Sequence, residues 1–106
     1  MQRKRKIVGF LLVDEFSMMG FSSAIEALRQ ANRLVEEPPY EWYTCSVDGR
    51  PAVCSAGIRI DAAHDIATAP EPDLLLVVSS IATGIAGEEA IHRRLRYFAG
   101  RGARLG

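Results

Sequence analysis

The stretch KIVGFLLVDEFSMMGFSSAIEALRQANRLV, Lys6 to Val35, decides the fold class. It opens on an apolar run, Ile7 to Val13, with no polar alternation. A strand that reads this way is buried on both faces, and such strands are usually parallel. The run ends at Asp14–Glu15, and an amphipathic segment follows at once. Strand, tight loop and helix in succession open a parallel α/β sheet. Ligands of such sheets sit outside the carboxyl ends of the strands, where strand order reverses. The loop Asp14 to Gly20 is therefore the first place to look for function.

Two helix starts are available. Ser17 can cap the helix, with Phe16 and Phe21 placed as a hydrophobic staple, and Ser23 with Glu26 forms an S-x-x-E capping box. Ser17 is the preferred start, with an irregular first turn expected around Gly20. Phe21, Ile25, Leu28, Ala31 and Val35 then fall at helical spacing as the buried stripe, and Arg29, Gln30 and Arg33 lie on the wet side. Pro38–Pro39 stop any continuation.

Downstream, Tyr40 to Val47 (YEWYTCSV) is rich in β-formers and reads as the second strand. Asp48–Gly49–Arg50–Pro51 is a turn, because glycine admits positive φ and aspartate bonds its own backbone. Ala52 to Ser55 and Ile58 to Ile60 are short alternating pieces, an edge hairpin or a crossover strand. Asp61 to Ala69 is weakly helical at most, and Pro70 to Asp73 (PEPD) is a loop. Asp73 to Val78 (DLLLVV) is the strongest strand, again apolar on both faces. Ser79 to Gly87 is a small-residue loop. Glu88 to Ala99 reads as a helix, acidic at its start and arginine-rich towards its end, in line with the macrodipole. Its Ile91, Leu95 and Phe98 face the sheet. Gly100 to Gly102 end it, and Ala103 to Gly106 read as the approach to a further strand. A sheet of this kind is expected to continue, so the domain is read as C-terminally incomplete.

The 106 residues suffice for one small domain, and 48% apolar content supports a core and argues against disorder. Lys+Arg and Asp+Glu number 13 each, so net charge is zero, which argues against a surface that holds nucleic acid by charge alone. Arg3, Lys4, Arg5 and Lys6 make residues 1–6 a basic, solvated tail ahead of a domain over 7–106. No apolar run approaches the ~20 residues a membrane helix needs. No signal peptide is legible, because Ile7 to Val13 breaks at Asp14. A cytoplasmic protein without a membrane partner is the expectation. Cys45 and Cys54 lack metal-site spacing and are expected to be reduced.

The order VGFLLVDEFSMMGFSSAIEALRQANRL, EWYTCSVDGRPAVCSAGIRI and PDLLLVVSS resembles the N-terminal domain of GlxA-type regulators of the AraC family. That domain is similar to the PfpI group of the class I glutamine amidotransferase-like superfamily. The resemblance covers nearly all of 6–106 and is carried best by Phe16 to Arg33 and Ser46 to Gly57. It implies a sensor domain that binds a small molecule and self-associates. DNA binding would belong to a C-terminal pair of helix-turn-helix motifs that this sequence does not contain.

The PfpI resemblance also implies where chemistry would sit. Such enzymes use a cysteine on a sharp strand–helix turn, an acid just inside the first helix, and backbone N–H groups from another strand-end loop. By the run Phe16 to Gly20 (FSMMG), the acid's place is held by Gly20. Asp14 and Glu15 come earlier and are expected to face solvent or cap the helix start. Glu26 lies nearly two turns on and reads as a surface or packing residue. The nucleophile would follow the strand that begins near Ala103. Cys54, in Val53 to Gly57 (VCSAG), precedes strand-like residues and so makes no nucleophile elbow. Cys45 lies within a strand and reads as core. Ser79, Ser80 and Ile81 follow the strong strand, where N–H groups and hydroxyls suit a polar ligand. His92 reads as a surface residue, and His64 lies in a loop or short helix. Gly84 and Gly87 are too sparse for a phosphate cradle, and no cofactor or metal is expected.

Two other classes stay open. One is a PfpI-type cysteine hydrolase or hydratase whose nucleophile lies beyond Gly106. The other is a degenerate phospho-receiver-like domain, which shares a flavodoxin-like sheet. A receiver needs an aspartate at the end of its third strand, where this chain reads Val77–Val78–Ser79, and the stretch Arg50 to Pro70 is long for one. The expectation is a three-layer α/β/α sandwich with a mainly parallel flavodoxin-like sheet. Its function is non-catalytic ligand sensing and homodimerisation within an AraC-family regulator. The pocket is assigned to Phe16, Gly20, Ser79, Ser80 and Ile81: an apolar wall from Phe16, room at Gly20, donors from the serines. The family association points to an amino acid or quaternary amine as effector.

Overall fold

A computed structural model describes residues 5–79 and 88–106. Most of the basic tail, together with Ser80 and Ile81, lies outside the described residues. Among the described residues the order is β1 (Lys6–Leu12), α1 (Met18–Arg33), β2 (Tyr40–Ser46), β3 (Ala52–Val53), β4 (Arg59–Ile60), β5 (His64–Asp65), β6 (Leu74–Val78), α2 (Glu88–Gly100) and β7 (Arg104–Leu105). The main sheet has the order β5-β2-β1-β6-β7 and every pairing in it is parallel. β3 and β4 form a separate antiparallel hairpin, one of the two readings left open for that stretch.

The unbroken apolar run of β1 has a simple cause. Side chains alternate faces along a strand, and here both faces are covered. Val8, Phe10 and Leu12 pack with Phe16, Phe21, Ala52 and Cys54 in the layer that holds α1. Leu11 and Val13 pack with Cys45, Ile66, Leu75, Ile91 and Phe98 in the layer that holds α2. Gly9 belongs to the second face, where a Cβ would lie 2.7 Å from the Tyr43 ring and 2.9 Å from Leu75 Cδ1. The missing side chain is thus filled by Tyr43, whose hydroxyl donates to the Pro70 carbonyl at 2.6 Å.

α1 starts as the Ser17 reading requires. The Ser17 side chain accepts the Gly20 N–H at 3.1 Å, an arrangement worth about 1 kcal/mol. Phe16 and Phe21 meet edge to face at 6.1 Å, closing the staple. The alternative start is not used, and Glu26 instead pairs with Arg29 on the surface at 2.6 Å. The first turn is ordinary α-helix, against the expected irregularity, because Gly20 takes helical backbone there. Val35 is also corrected: α1 ends at Arg33, so Val35 lies past the helix and is 51% exposed. The Asn32 side chain ties that exit to β2, donating to the Tyr40 carbonyl at 3.0 Å and accepting the Tyr40 N–H at 3.1 Å.

The weakly helical reading of Asp61 to Ala69 is corrected as well. His64–Asp65 extend the sheet as β5, with Ala63 donating to the Thr44 carbonyl and Ile66 to that of Ser46. Two paired residues carry no periodicity, so burial of Ile66 and Ala69 sets the path instead. Arg94 of α2 then clamps this segment, donating to the Ile66 carbonyl at 2.9 Å and the Ala69 carbonyl at 3.2 Å while stacking on Phe98.

Candidate functional site

β1 leads to β2 on one side and is flanked by β6 on the other, so strand order reverses at the carboxyl ends of β1 and β6. A crevice at such a point is where ligands of open α/β sheets bind. The two ends are joined there by the Val13 N–H, which donates to the Val78 carbonyl at 3.0 Å. The loop Asp14 to Ser17 leads from that point into α1. Gly20 sits on the exposed first turn, 4.0 Å (from the place of a Cβ) to Val78 Cγ1. Ser79 follows Val78 directly and is exposed.

The structure therefore brings Gly20 and the end of β6 to one rim. Phe16 is placed differently from the other two: it is wholly buried among Phe21, Ala52 and Cys54 and forms the floor beneath the loop. Ser80 and Ile81 lie outside the described residues. Gly20 has no structural need to be glycine. Its φ is not positive, and an added Cβ would meet Ser17 at 3.6 Å, an ordinary contact.

Sequence reasoning missed the hairpin's part in this loop. Asp14 does not cap the helix; its Oδ1 accepts the Val53 N–H at 3.0 Å. Glu15 donates its N–H to the Val53 carbonyl at 2.8 Å and holds φ at 72°, left-handed backbone that is costly for a side-chain-bearing residue. Ser55 donates its N–H to the Phe16 carbonyl at 2.9 Å, and Phe16 and Cys54 form a parallel bridge. Nothing local in the sequence signals these bonds, since their partners are 38 to 39 residues apart in the chain.

Cys54 is buried at the end of the hairpin, not on a strand–helix turn. Cys45 is buried in β2, and burial followed by the charge of Asp65 pushes its thiol up to about 12. At neutral pH it is therefore the inert thiol rather than the thiolate. His64 stands edge-on to Tyr43 at 5.3 Å. Among the described residues no group of His, Cys, Asp and Glu is placed to hold a metal ion. No helix there is long and apolar enough to cross a membrane.

A depression of about 300 Å³ lies at the opposite end of the strands, lined by Ile7, Glu71, Asp73 and Arg101 among others. Its polar groups are already engaged: Asp73 accepts the Ile7 N–H at 2.8 Å and Glu71 pairs with Arg101 at 2.9 Å. The strand-order reversal, not this depression, marks the candidate site.

No protein-family model matches the chain. It is 37% identical over 79 residues to the HTH-type transcriptional regulator GbdR of Pseudomonas aeruginosa, covering 74% of this chain and 22% of that protein. With the HTH-type regulator CdhR of the same species it shares 37% over 97 residues, 92% of this chain and 29% of the relative. With the HTH-type regulator GlxA of Rhizobium meliloti it shares 32% over 101 residues, 93% of this chain and 31% of the relative. The chain thus spans less than a third of each of these proteins. Among solved structures, an AraC family transcriptional regulator from Pseudomonas putida superposes with a TM-score of 0.83 at 29% identity, over 95% of this chain and 54% of that one. A DJ-1 superfamily protein from Agrobacterium tumefaciens superposes at 0.65 with 16% identity, over 94% of this chain and 51% of that one, which speaks to the fold alone. Parallel sheet, strand order and these relatives agree: the chain is homologous to part of HTH-type transcriptional regulators, GlxA among them, and its fold is the one that an AraC family regulator and DJ-1 superfamily proteins share.

Proposed function

We propose that this chain is the effector-sensing and self-associating domain of an AraC-family regulator and has no catalytic activity of its own. The observation that carries the reading is Gly20. It stands at the rim where β1 and β6 part, and neither backbone nor packing calls for glycine there; the resemblance of Phe16 to Gly20 (FSMMG) to PfpI-type enzymes implies that such an enzyme would put its acid at this position. An enzyme would fill that space with a carboxylate; a sensor gains room for a ligand. The exposed Ser79, directly after Val78, would supply a hydroxyl and a backbone N–H, and Ser80 and Ile81 follow it in sequence. An amino acid or a quaternary amine is the proposed effector class. DNA contact belongs, in this reading, to a helix-turn-helix region of the protein outside this chain.

The test is a thermal-shift screen of amino acids and quaternary amines against the full-length protein. A ligand at 100 times its Kd stabilises the folded state by about 2.7 kcal/mol, enough to move the midpoint by several degrees. Ser79→Ala and Ile81→Ala are expected to weaken that shift. If neither changes affinity, the pocket is elsewhere; if a cysteine of the full-length protein is alkylated stoichiometrically and fast at neutral pH, the hydrolase reading gains instead.

A further inference from the structure

The neutral net charge conceals a division along the chain. Residues 1–92 carry eight basic and thirteen acidic side chains, whereas Arg93 to Gly106 carry five arginines and no Asp or Glu. Three of those arginines are on α2. Ile91 and Phe98 are buried on its sheet-facing side and Leu95 packs beside them. Arg93 and Arg96, three residues apart and both exposed, therefore share the outward side. Among the described residues neither makes an ion pair, and Glu89, one turn before Arg93, is not joined to it. The neighbouring arginines are engaged: Arg94 on the Ile66 and Ala69 carbonyls, and Arg101 on Glu71 at 2.9 Å. Their guanidinium groups also cover the Tyr97 ring, at 4.4 and 5.7 Å from its centre.

The chemistry of this face selects its partner. A protein interface needs an apolar centre that excludes water. The outward line Glu89, Arg93, Arg96 and Gly100 has none, and the Tyr97 ring beside it lies under guanidinium groups. Guanidinium groups without a carboxylate partner suit phosphate oxygens, which accept their N–H groups in pairs. We propose that the outward face of α2 contacts the sugar-phosphate backbone of duplex DNA through Arg93 and Arg96. It rests on the reading of the full-length protein as a DNA-bound regulator and adds a contact from this domain beside that of the helix-turn-helix region. Such a contact acts through charge and carries no base readout.

Fluorescence anisotropy of the full-length protein on a labelled mixed-sequence duplex, repeated across a range of salt concentrations, tests this. The variants are Arg93→Gln, Arg96→Gln and the two together. Arg59→Gln is the control, the same charge change on the hairpin, which packs in the α1 layer across the sheet from α2. Each single variant is expected to make the slope of log K against log salt shallower by about 0.9, and the pair by about 1.8. At about 0.15 M salt the affinity then falls roughly fivefold in each and roughly 30-fold in the pair, while Arg59→Gln leaves the slope as it is. Arg93→Lys with Arg96→Lys is expected to keep the slope, because a phosphate needs the charge more than the planar fork. A slope unchanged in the double Gln variant, or reduced equally by Arg59→Gln, overturns the DNA contact alone and leaves the face to an acidic protein segment. A wild-type protein that binds no duplex even at low salt overturns the regulator reading and the contact together.

Discussion

Replacing Gly20 by alanine separates the two reasons a glycine can stand at the start of a helix. The backbone supplies no reason, since Gly20 lies in the first turn of α1 with ordinary φ and donates to Ser17 Oγ at 3.1 Å. Packing supplies none, since the new methyl would sit 3.6 Å from Ser17 and 4.0 Å from Val78. Without strain, Gly→Ala restricts the unfolded chain and stabilises by about 0.4–1 kcal/mol. With an m-value of roughly 1–3 kcal/mol/M, the urea midpoint of the full-length protein, or of its first resolved transition, rises by roughly 0.1–1 M. Effector affinity moves the other way, because the methyl enters the space assigned to the ligand, and Gly20→Glu is expected to abolish binding in a folded protein. A loss of stability beyond about 1 kcal/mol in Gly20→Ala, outside the usual range for a surface change, would show that the chain needs glycine there and would refute the argument for an open pocket.

Gly9→Ala is the opposite case: its methyl collides with the Tyr43 ring at 2.7 Å, so a loss of about 1–3 kcal/mol is expected by chemical denaturation, with Tyr43→Leu in the same chain recovering part of it. Full stability in Gly9→Ala would show that Tyr43 moves freely. Asp14→Ala removes the acceptor of the Val53 N–H on an exposed loop and is expected to cost about 1 kcal/mol, with faster amide exchange at Val53 in particular. Unchanged exchange there would mean that the hairpin is not held to the loop by this carboxylate. Cys45 gives a pH dependence: its folded value of about 12 lies above its ordinary value of 9.0, so the native state keeps its proton longer than the unfolded state does. Stability is whole below pH 9 and falls as pH rises from 9 towards 12, at a limiting slope of about 1.4 kcal/mol per pH unit, and Cys45→Ala is expected to reduce that slope.

The sequence by itself determined the elements whose two-sided burial leaves a run or a stripe. Ile7 to Val13 and Leu74 to Val78 are apolar throughout because each lies between two helix layers, so their strand character and parallel setting were legible. The start of α1 was legible because its cap and staple are local, within five residues of Phe16. Gly20 enters only through the resemblance, by the spacing of FSMMG, and its nearness to the end of β6 comes from the fold. Only the tertiary structure decided the rest. β5 is two residues long and exists because Ile66 is buried and Thr44 and Ser46 offer carbonyls. Phe16 became floor rather than wall because the hairpin closes over it, and the bonds that close it join Asp14–Phe16 to Val53–Ser55 across nearly forty residues. Periodicity and capping are written within a few residues of chain, whereas a seam of this kind depends on which distant backbone groups burial leaves facing one another.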